Sequence, residues 1–101
     1  MKEIDVHGQK FIVAVITAEP RHADTVERAL EVAVSAVRKE PGCIQYDLHR
    51  DQSKLGRFVM IEQWSDAKAL KVHSDGAAFR QLSVVIDGRA SLEVVDLATI
   101  D

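Results

Sequence analysis

Glu62 is the residue of this sequence whose surroundings point most directly to chemistry. It lies in residues 57–64, RFVMIEQW, where the period of two of a strand puts its side chain on one face with Phe58, Met60 and Trp64. A carboxylate on an apolar face needs a partner, or burial raises its pKa. Glu62 is therefore a candidate general base or substrate anchor. The alternative is a structural ion pair with an arginine of a helix, or a strand end that reaches solvent.

His73 is the second candidate, because an imidazole exchanges protons near neutral pH. It lies where the second predicted helix breaks, three residues before Gly76. A histidine in the last turn of a helix also commonly hydrogen-bonds the final carbonyls. The spacing alone therefore leaves open both a catalytic role and a structural one.

Trp64 and Tyr46 are candidates for contact with a flat aromatic ligand, because their rings stack well and each carries a polar atom. The alternative is that both belong to the core or to a contact between subunits. Phe79 falls on the apolar stripe of the helix that follows the break, which is a position typical of a core residue.

The remaining histidines and the cysteine show no ligand pattern. His7, His22 and His49 have no acidic or cysteine partner at the spacing of metal ligands, and we interpret them as surface residues. Cys43, the single cysteine, excludes an intrachain disulfide and is interpreted as a small buried hydrophobic residue. The sequence contains no GxGxxG, Walker A, GxSxG or HExxH motif, so the usual signals of a nucleotide cofactor, a phosphate loop, a serine hydrolase and a zinc protease are missing.

Changes of hydrophobic period divide the chain into strands and helices. An apolar run predicts a strand buried on both faces, a period near 3.6 predicts helices, and alternation predicts a strand with one wet face. Ser65 is the expected cap of the second helix, and Ile44 is expected to share the buried face of its strand with Tyr46 and Leu48. The predicted elements are a loose arm with a short edge strand (1–10), a strand (11–18), a helix (22–39), two strands (43–50 and 57–64), a helix interrupted at 74–76 (65–86) and a strand (89–98).

The order strand, helix, strand, strand, helix, strand predicts an α+β ferredoxin-like fold with a four-stranded antiparallel sheet. Two right-handed crossovers place both helices on one face of that sheet. The other face is bare, although residues 11–18 and 57–64 carry apolar side chains on both sides of their strands. A soluble monomer seldom exposes an apolar patch above roughly 300–600 Å², so we expect a second copy of the chain to cover this face in a homodimer.

Length and charge restrict the class of protein. The 101 residues fit a single domain, residues 1–101, with 47% hydrophobic and 29% charged residues. Thirteen Lys and Arg are scattered among sixteen Asp and Glu, which argues against a nucleic-acid partner or an anionic membrane surface. No apolar stretch approaches the roughly 20 residues of a membrane span, and MKEIDVHGQK at the start has no apolar signal region. We therefore expect a cytoplasmic protein.

Three segments together resemble the antibiotic biosynthesis monooxygenase (ABM) domain family, and among its members the quinol monooxygenases. They are EPGCIQYDLHR at residues 40–50, RFVMIEQWS at residues 57–65, and AKALKVH at residues 67–73 followed by Phe79. The resemblance implies a ferredoxin-like fold that pairs into a dimeric α/β barrel, with a pocket between sheet and helices in each subunit. Several members oxygenate electron-rich aromatics with O2 and without metal, flavin or haem, so the resemblance implies that no cofactor is needed.

The resemblance also implies roles for single residues. Glu62 and His73 are the expected catalytic residues, and Trp64, Tyr46 and Phe79 are the expected substrate-binding residues.

Two departures from the family pattern bear on these roles. The family often has a second histidine just before the helix phenylalanine, where this sequence has Ala78, so proton transfer must rely on His73 or on other chemistry. Haem-degrading relatives place an asparagine on the first strand, and residues 11–18 contain none, so we do not expect haem degradation.

These observations predict a small cofactor-independent monooxygenase that oxidises an electron-rich aromatic, such as a quinol or a polyketide-type phenol, with molecular oxygen. A second hypothesis is an isomerase or another non-redox enzyme that acts on a small carbonyl metabolite in the same pocket. A third is a dimeric binding protein without catalysis. An aromatic substrate requires Trp64 and Phe79 to face the cavity, a small polar substrate requires several charged groups, and a cavity filled by side chains favours the third hypothesis.

Overall fold

The computed structural model describes residues 8–101 and contains the predicted elements in the predicted order. The elements are β1 (Lys10–Ala18), α1 (Ala23–Val37), β2 (Cys43–Arg50), β3 (Arg57–Trp64), α2 (Ala67–Ser74), α3 (Ala77–Ile86) and β4 (Ala90–Leu97), with a 3₁₀ turn (Pro20–His22) before α1. The predicted arm lies outside the described residues as far as residue 7, and Lys10 already belongs to β1. None of the described helices has the length and apolar character that crossing a membrane would require.

The four strands form one antiparallel sheet in the order β2-β3-β1-β4. Alternation along the strands gives the sheet an inner face, which packs against the helices, and an outer face. The inner face includes Ile12, Met60 and Trp64, and the helices cover it with Leu30 and Leu82 among others. All three helices thus lie on one side of the sheet, and the predicted α+β ferredoxin-like fold is confirmed.

Helix α1 covers the inner face with a single apolar stripe. Val26, Leu30, Ala33 and Val37 recur every three or four residues, and all four are buried. The helix ends at Val37, where the chain turns towards β2.

A tight turn at Pro41 and Gly42 connects α1 to β2. Gly42 has a φ of +79°, and a Cβ atom at this position would lie 2.5 Å from the Cβ atom of Ala69. Only glycine satisfies both constraints, so the turn holds α2 close to the start of β2. The carbonyl of Gly42 also accepts the backbone N–H of Ser65 at 2.8 Å, which ties the turn to the end of β3.

The cap of α2 is Asp66, and the prediction of Ser65 was wrong. The Asp66 carboxylate oxygen Oδ1 accepts the backbone N–H of Ala69 at 2.7 Å, as a helix N-cap does. Ser65 lies one residue too early, where its N–H is already bonded to Gly42.

The prediction that Ile44 lies on the buried face of β2 was also wrong. The register of β2 against β3 shifts between Cys43 and Gln45, which is a β-bulge that adds one residue to β2. Ile44 is therefore 50% exposed, while Tyr46, beyond the bulge, remains buried on the inner face.

The outer face of the sheet is apolar and has no cover within the described residues. It carries Val13 and Val15 of β1, which are only half-buried, although β1 was expected to be buried on both faces. Ile61, Val95 and Leu97 of the neighbouring strands are 38–45% exposed. The face is therefore open to a second copy of the chain, and the homodimer stays a prediction.

Placing a charge at the centre of the outer face should prevent dimerisation. Val13 lies between Ile61 and Val95 in the sheet, so Val13→Glu would bury a carboxylate without a partner in any sheet-to-sheet contact. We expect light scattering at micromolar concentration to report twice the 11.2 kDa chain mass for the native protein and a single chain mass for Val13→Glu. Val84→Glu, on an exposed position of α3, is the matched control and should remain dimeric. A native protein that is monomeric at this concentration would contradict the prediction.

Candidate active site

A cavity of about 190 Å³ lies between the inner face of the sheet and the helices. Most of its lining is apolar, and it opens towards β4, where Leu92 and Val94 form its edge. An engineered apolar cavity of about 150 Å³ binds benzene, so this cavity has room for one substituted aromatic ring. The polar side chains that line it are Tyr46, Glu62, His73, Ser74 and Asp96.

His73 lines the cavity and is held from behind by a carboxylate. Its side chain is 5% exposed, and its Nδ1 lies 2.7 Å from Oε1 of Glu40, in the turn that follows α1. When Glu40 is ionised it can only accept a hydrogen bond, so this contact assigns a proton to Nδ1. In the neutral ring Nε2 then carries the lone pair, on the side of the ring away from Glu40. His73 lines the cavity and Glu40 does not, so the hydrogen bond to Glu40 leaves Nε2 as the ring atom available for proton exchange there.

The alternative in which His73 caps the final carbonyls of its helix is not what the structure shows. The backbone N–H of Gly76 donates to the His73 carbonyl at 3.0 Å, and the ring turns to Glu40 instead. The break of the helix after His73 thus leaves the imidazole available to the cavity.

Three aromatic rings fix the orientation of the His73 imidazole. The Trp64 ring stacks on it at a centroid distance of 4.6 Å, with the two planes 29° apart. Tyr46 contacts it edge-on at 5.6 Å, and Phe79 lies at a tilted angle at 5.7 Å. With Glu40 bonded to Nδ1, the ring cannot rotate without losing both the stacking and the hydrogen bond.

Glu62 is buried on the inner face of β3, where it is 7% exposed. Its Oε1 accepts the indole N–H of Trp64 at 3.0 Å. Burial raises the pKa of the Glu62 carboxyl; the Trp64 hydrogen bond and the charge of His73 oppose this rise, and Glu40 adds to it. Among residues 8–101 no lysine or arginine forms an ion pair with Glu62, so the alternative of a structural ion pair finds no support in this part of the chain.

Tyr46 and Phe79 line the cavity, as expected of substrate-binding residues, but Trp64 does not. Trp64 has no exposed surface and lies behind His73 and Glu62. The prediction that Trp64 contacts a substrate therefore has no support from the cavity lining. Burial, followed by the charges of Glu62 and Glu40, raises the pKa of Tyr46 well above its usual range, so its hydroxyl stays protonated at physiological pH.

Glu40 is the residue that sequence reasoning missed. It belongs to the quoted EPGC segment but lies 33 residues from His73 along the chain. Its position beside His73 follows from the turn at Pro41 and Gly42 and from the pairing of Cys43 with Trp64 in the sheet. Neither the turn geometry nor this register can be read from hydrophobic periodicity.

The other predicted features have less bearing on the site. Cys43 is half-buried beside the site, and burial raises the pKa of its thiol, so the sulfur is not activated as a nucleophile. His22 and His49 lie away from the cavity lining, and His7 lies outside the described residues. Within the described residues no cluster of three His, Cys, Asp or Glu side chains could hold a metal ion.

The fold and the cavity define a class: small α+β proteins with an apolar pocket between the sheet and its helices. Comparison with known proteins then identifies the family, because the sequence profile of "Antibiotic biosynthesis monooxygenase" matches residues 11–83. The chain belongs to the antibiotic biosynthesis monooxygenase family, as its sequence resemblance implied.

Individual relatives agree with this membership. The chain is 33% identical over 67 residues, 66% of its length and 70% of the relative's, to the Bacillus subtilis (strain 168) protein named "Putative monooxygenase YcnE". The crystal structure of PA3566 from Pseudomonas aeruginosa is 34% identical, with a TM-score of 0.88 over 97% of this chain and 100% of that one. A crystal structure described as an antibiotic biosynthesis monooxygenase is 31% identical, with a TM-score of 0.85 over 91% of this chain and 99% of that one. The relatives support a monooxygenase-like role.

Replacing Glu62 by glutamine should change how stability depends on pH. Because burial raises the pKa of Glu62, the folded chain keeps this proton at pH values where the unfolded chain, with a pKa of about 4.3, has lost it. This difference lowers the free energy of unfolding as pH rises from the unfolded pKa to the folded one. Glutamine does not titrate and still accepts the Trp64 N–H, so the stability of Glu62→Gln relative to the native chain should increase over that range.

Urea denaturation at a series of pH values measures this effect. The substitution Glu31→Gln, at an exposed position of α1, is the matched control. A stability difference between Glu62→Gln and the native chain that stays constant with pH would contradict the prediction.

Proposed function

We propose that the protein is a monooxygenase that oxidises a single-ring, electron-rich aromatic, such as a quinol or phenol, with molecular oxygen and without a cofactor. The observation that carries the proposal is the His73–Glu40 pair on an apolar cavity of one-ring size. Family membership supports the reaction class, and the geometry of the cavity supports the proton transfer and the size of the substrate.

Removal of a proton is the step for which the site is best equipped. A phenol has a pKa of about 10, like that of tyrosine, and it reduces oxygen readily only as its anion. Nε2 of His73 accepts the hydroxyl proton, and the Glu40 carboxylate on Nδ1 stabilises the imidazolium that forms. A positioned base of this kind typically contributes about 10²–10⁴-fold to the rate.

The substrate anion then supplies the electrons for the reaction with oxygen. It passes one electron to O2, and the resulting superoxide and aryloxyl radical combine to form a carbon–oxygen bond. The imidazolium of His73 returns its proton to the outer oxygen of this peroxide. When the O–O bond breaks, the ring hydrogen leaves as a proton and water is released. One oxygen atom thus ends as a ring carbonyl, the other ends as water, and all four electrons come from the substrate.

The size of the cavity favours a small substrate. About 190 Å³ holds one substituted ring, whereas the fused rings of a polyketide anthrone, an isoalloxazine or a haem require much more space. We therefore place single-ring quinols and phenols ahead of the polyketide-type phenols that were also considered.

A non-redox enzyme on a small carbonyl metabolite is the second candidate. The observation in its favour is that two carboxyl groups and an imidazole, of Glu62, Asp96 and His73, line the cavity while Trp64 does not. Phe79 and the apolar remainder of the lining favour the aromatic substrate. The cavity is not filled by side chains, so the third hypothesis, a binding protein without catalysis, gains nothing from the structure.

Oxygen uptake by the metal-free protein tests the proposal, with His73→Asn as the informative variant. Asparagine keeps an N–H close to the position of Nδ1, so it can still donate to Glu40, but it has no base at the position of Nε2. We expect the native protein to consume oxygen with substituted hydroquinones and His73→Asn to be slower by at least about tenfold. Thermal denaturation shows whether the variant is folded.

Two results would count against this function. One is oxygen uptake by His73→Asn at the native rate, and the other is activity that appears only after flavin, iron or haem is added. Turnover of a small ketone or aldehyde without oxygen uptake would support the second candidate instead.

The size limit can be tested at Phe79, whose ring forms part of the wall. Removing most of this ring with Phe79→Ala enlarges the cavity, so the ratio of kcat/KM for a two-ring quinol to that for a one-ring quinol should rise by about tenfold, the effect of roughly 1.4 kcal/mol. Leu55→Ala, at an exposed loop position, is the control and should leave the ratio unchanged. An unchanged ratio in Phe79→Ala would show that the ring does not limit substrate size.

A further inference from the structure

We infer that Glu62 works as a neutral acid, whose Oε2–H donates a hydrogen bond to the substrate oxygen on which negative charge develops. This inference rests on the proposed function in one respect, namely that the substrate becomes an anion in the cavity. It assigns the two carboxyl groups near His73 opposite roles. Glu40 is ionised and orients the base, and Glu62 is protonated and stabilises the anion.

The hydrogen bond from Trp64 fixes the place of the proton on Glu62. An indole N–H can only donate, so Oε1 of Glu62 must act as the acceptor in the 3.0 Å contact. In the neutral carboxylic acid the proton therefore resides on Oε2. Oε2 has no hydrogen-bond partner among the described residues. It is not a fully buried atom either, so it keeps some contact with open space. Since Glu62 lines the cavity, Oε2 is directed into the space where a substrate would lie.

The groups packed around Glu62 would not stabilise an ionised Glu62 carboxylate beside a substrate anion. In the sheet, Glu62 lies between Ile12 of β1, which is apolar, and Tyr46 of β2, whose hydroxyl is neutral. From the helix side it faces His73, whose Nδ1 is already hydrogen-bonded to the Glu40 carboxylate.

One more carboxylate lies across β1 and is already paired. Asp96, on the far side of Ile12, is in contact with the ammonium group of Lys10 at 3.0 Å. No cation of the described residues is thus left to neutralise an ionised Glu62 together with a substrate anion.

A neutral Glu62 turns this constraint into stabilisation of the anion. An ionised carboxylate would repel a phenolate in the same apolar cavity, whereas a protonated one donates to it, and such donors are strong where water is excluded. Burial also raises the pKa of Glu62, in the direction that keeps it protonated. A carboxylic acid held neutral by its apolar surroundings is an established way to donate a hydrogen bond to a developing oxyanion.

Binding of 4-nitrophenol tests the inference without any oxygen chemistry. Its phenolate is coloured, so the absorbance of the bound ligand, compared with a titration of the free ligand, shows which form the protein binds. We expect the native protein and Glu62→Gln to bind the phenolate with affinities within about threefold, since the glutamine amide also accepts from Trp64 and donates into the cavity. Glu62→Leu, which offers no donor, should bind it at least about tenfold more weakly.

The dependence on pH separates a neutral acid from a carboxylate. As pH rises through the pKa of Glu62, the native protein should lose affinity for the phenolate, whereas Glu62→Gln should not. The fluorescence of Trp64, the single tryptophan of the chain, provides a second measurement, because its N–H is bonded to the titrating group. The native protein should show a fluorescence transition that is missing in Glu62→Gln, beyond any change that the stacked His73 ring causes in both proteins.

Three results would overturn the inference. They are native affinity in Glu62→Leu, loss of phenolate affinity in Glu62→Gln comparable to that in Glu62→Leu, and failure of the native protein to bind the phenolate at all. If Glu62→Leu does not fold, the comparison of the native protein with Glu62→Gln across pH decides alone. A protein that binds the phenolate in the expected pattern but consumes no oxygen with any quinol would retain this inference and refute the proposed monooxygenase.

Discussion

The complete burial of the Trp64 indole is the constraint on which the site depends. An indole in the core must satisfy its single N–H, and here its hydrogen-bond acceptor is the Glu62 carboxyl two residues earlier on the same strand face. The face of the same ring packs against His73. One residue at the end of β3 therefore fixes both ionisable groups, which keeps them in place without taking space from the cavity.

This arrangement explains why polar groups are tolerated in so small a core. Each buried group has a defined partner on its rear side: Glu62 has the Trp64 N–H, and His73 has the Glu40 carboxylate. Their remaining polar atoms are left for the cavity. Core packing and the proposed chemistry therefore use different atoms of the same side chains. The hydrogen bonds that stabilise the core do not occupy the atoms that would contact a substrate.

The sequence was sufficient to predict the elements that carry the site. Alternation in β3 correctly placed Glu62 and Trp64 on the inner face, and the helical period followed by Gly76 correctly placed His73 at a helix end. Periodicity could not predict that Trp64 lies behind the site, since the distance between helix and sheet decides which side chain is in front. The contact of Glu40 with His73 depends on a turn and on strand register, and hydrophobic pattern reports neither.

The bulge in β2 has a consequence for how relatives of this protein can differ in length. From Gln45 onwards the pairing with β3 is set by the hairpin turn at the other end, where the Asp51 N–H bonds the Arg57 carbonyl. The loss of one codon at Ile44 would therefore leave most of this hairpin in register. It would, however, shift the turn at Pro41 and Gly42 relative to β3, and the contact of Glu40 with His73 depends on the position of that turn. A deletion between residues 40 and 45 would thus keep the fold and disturb the orientation of the imidazole.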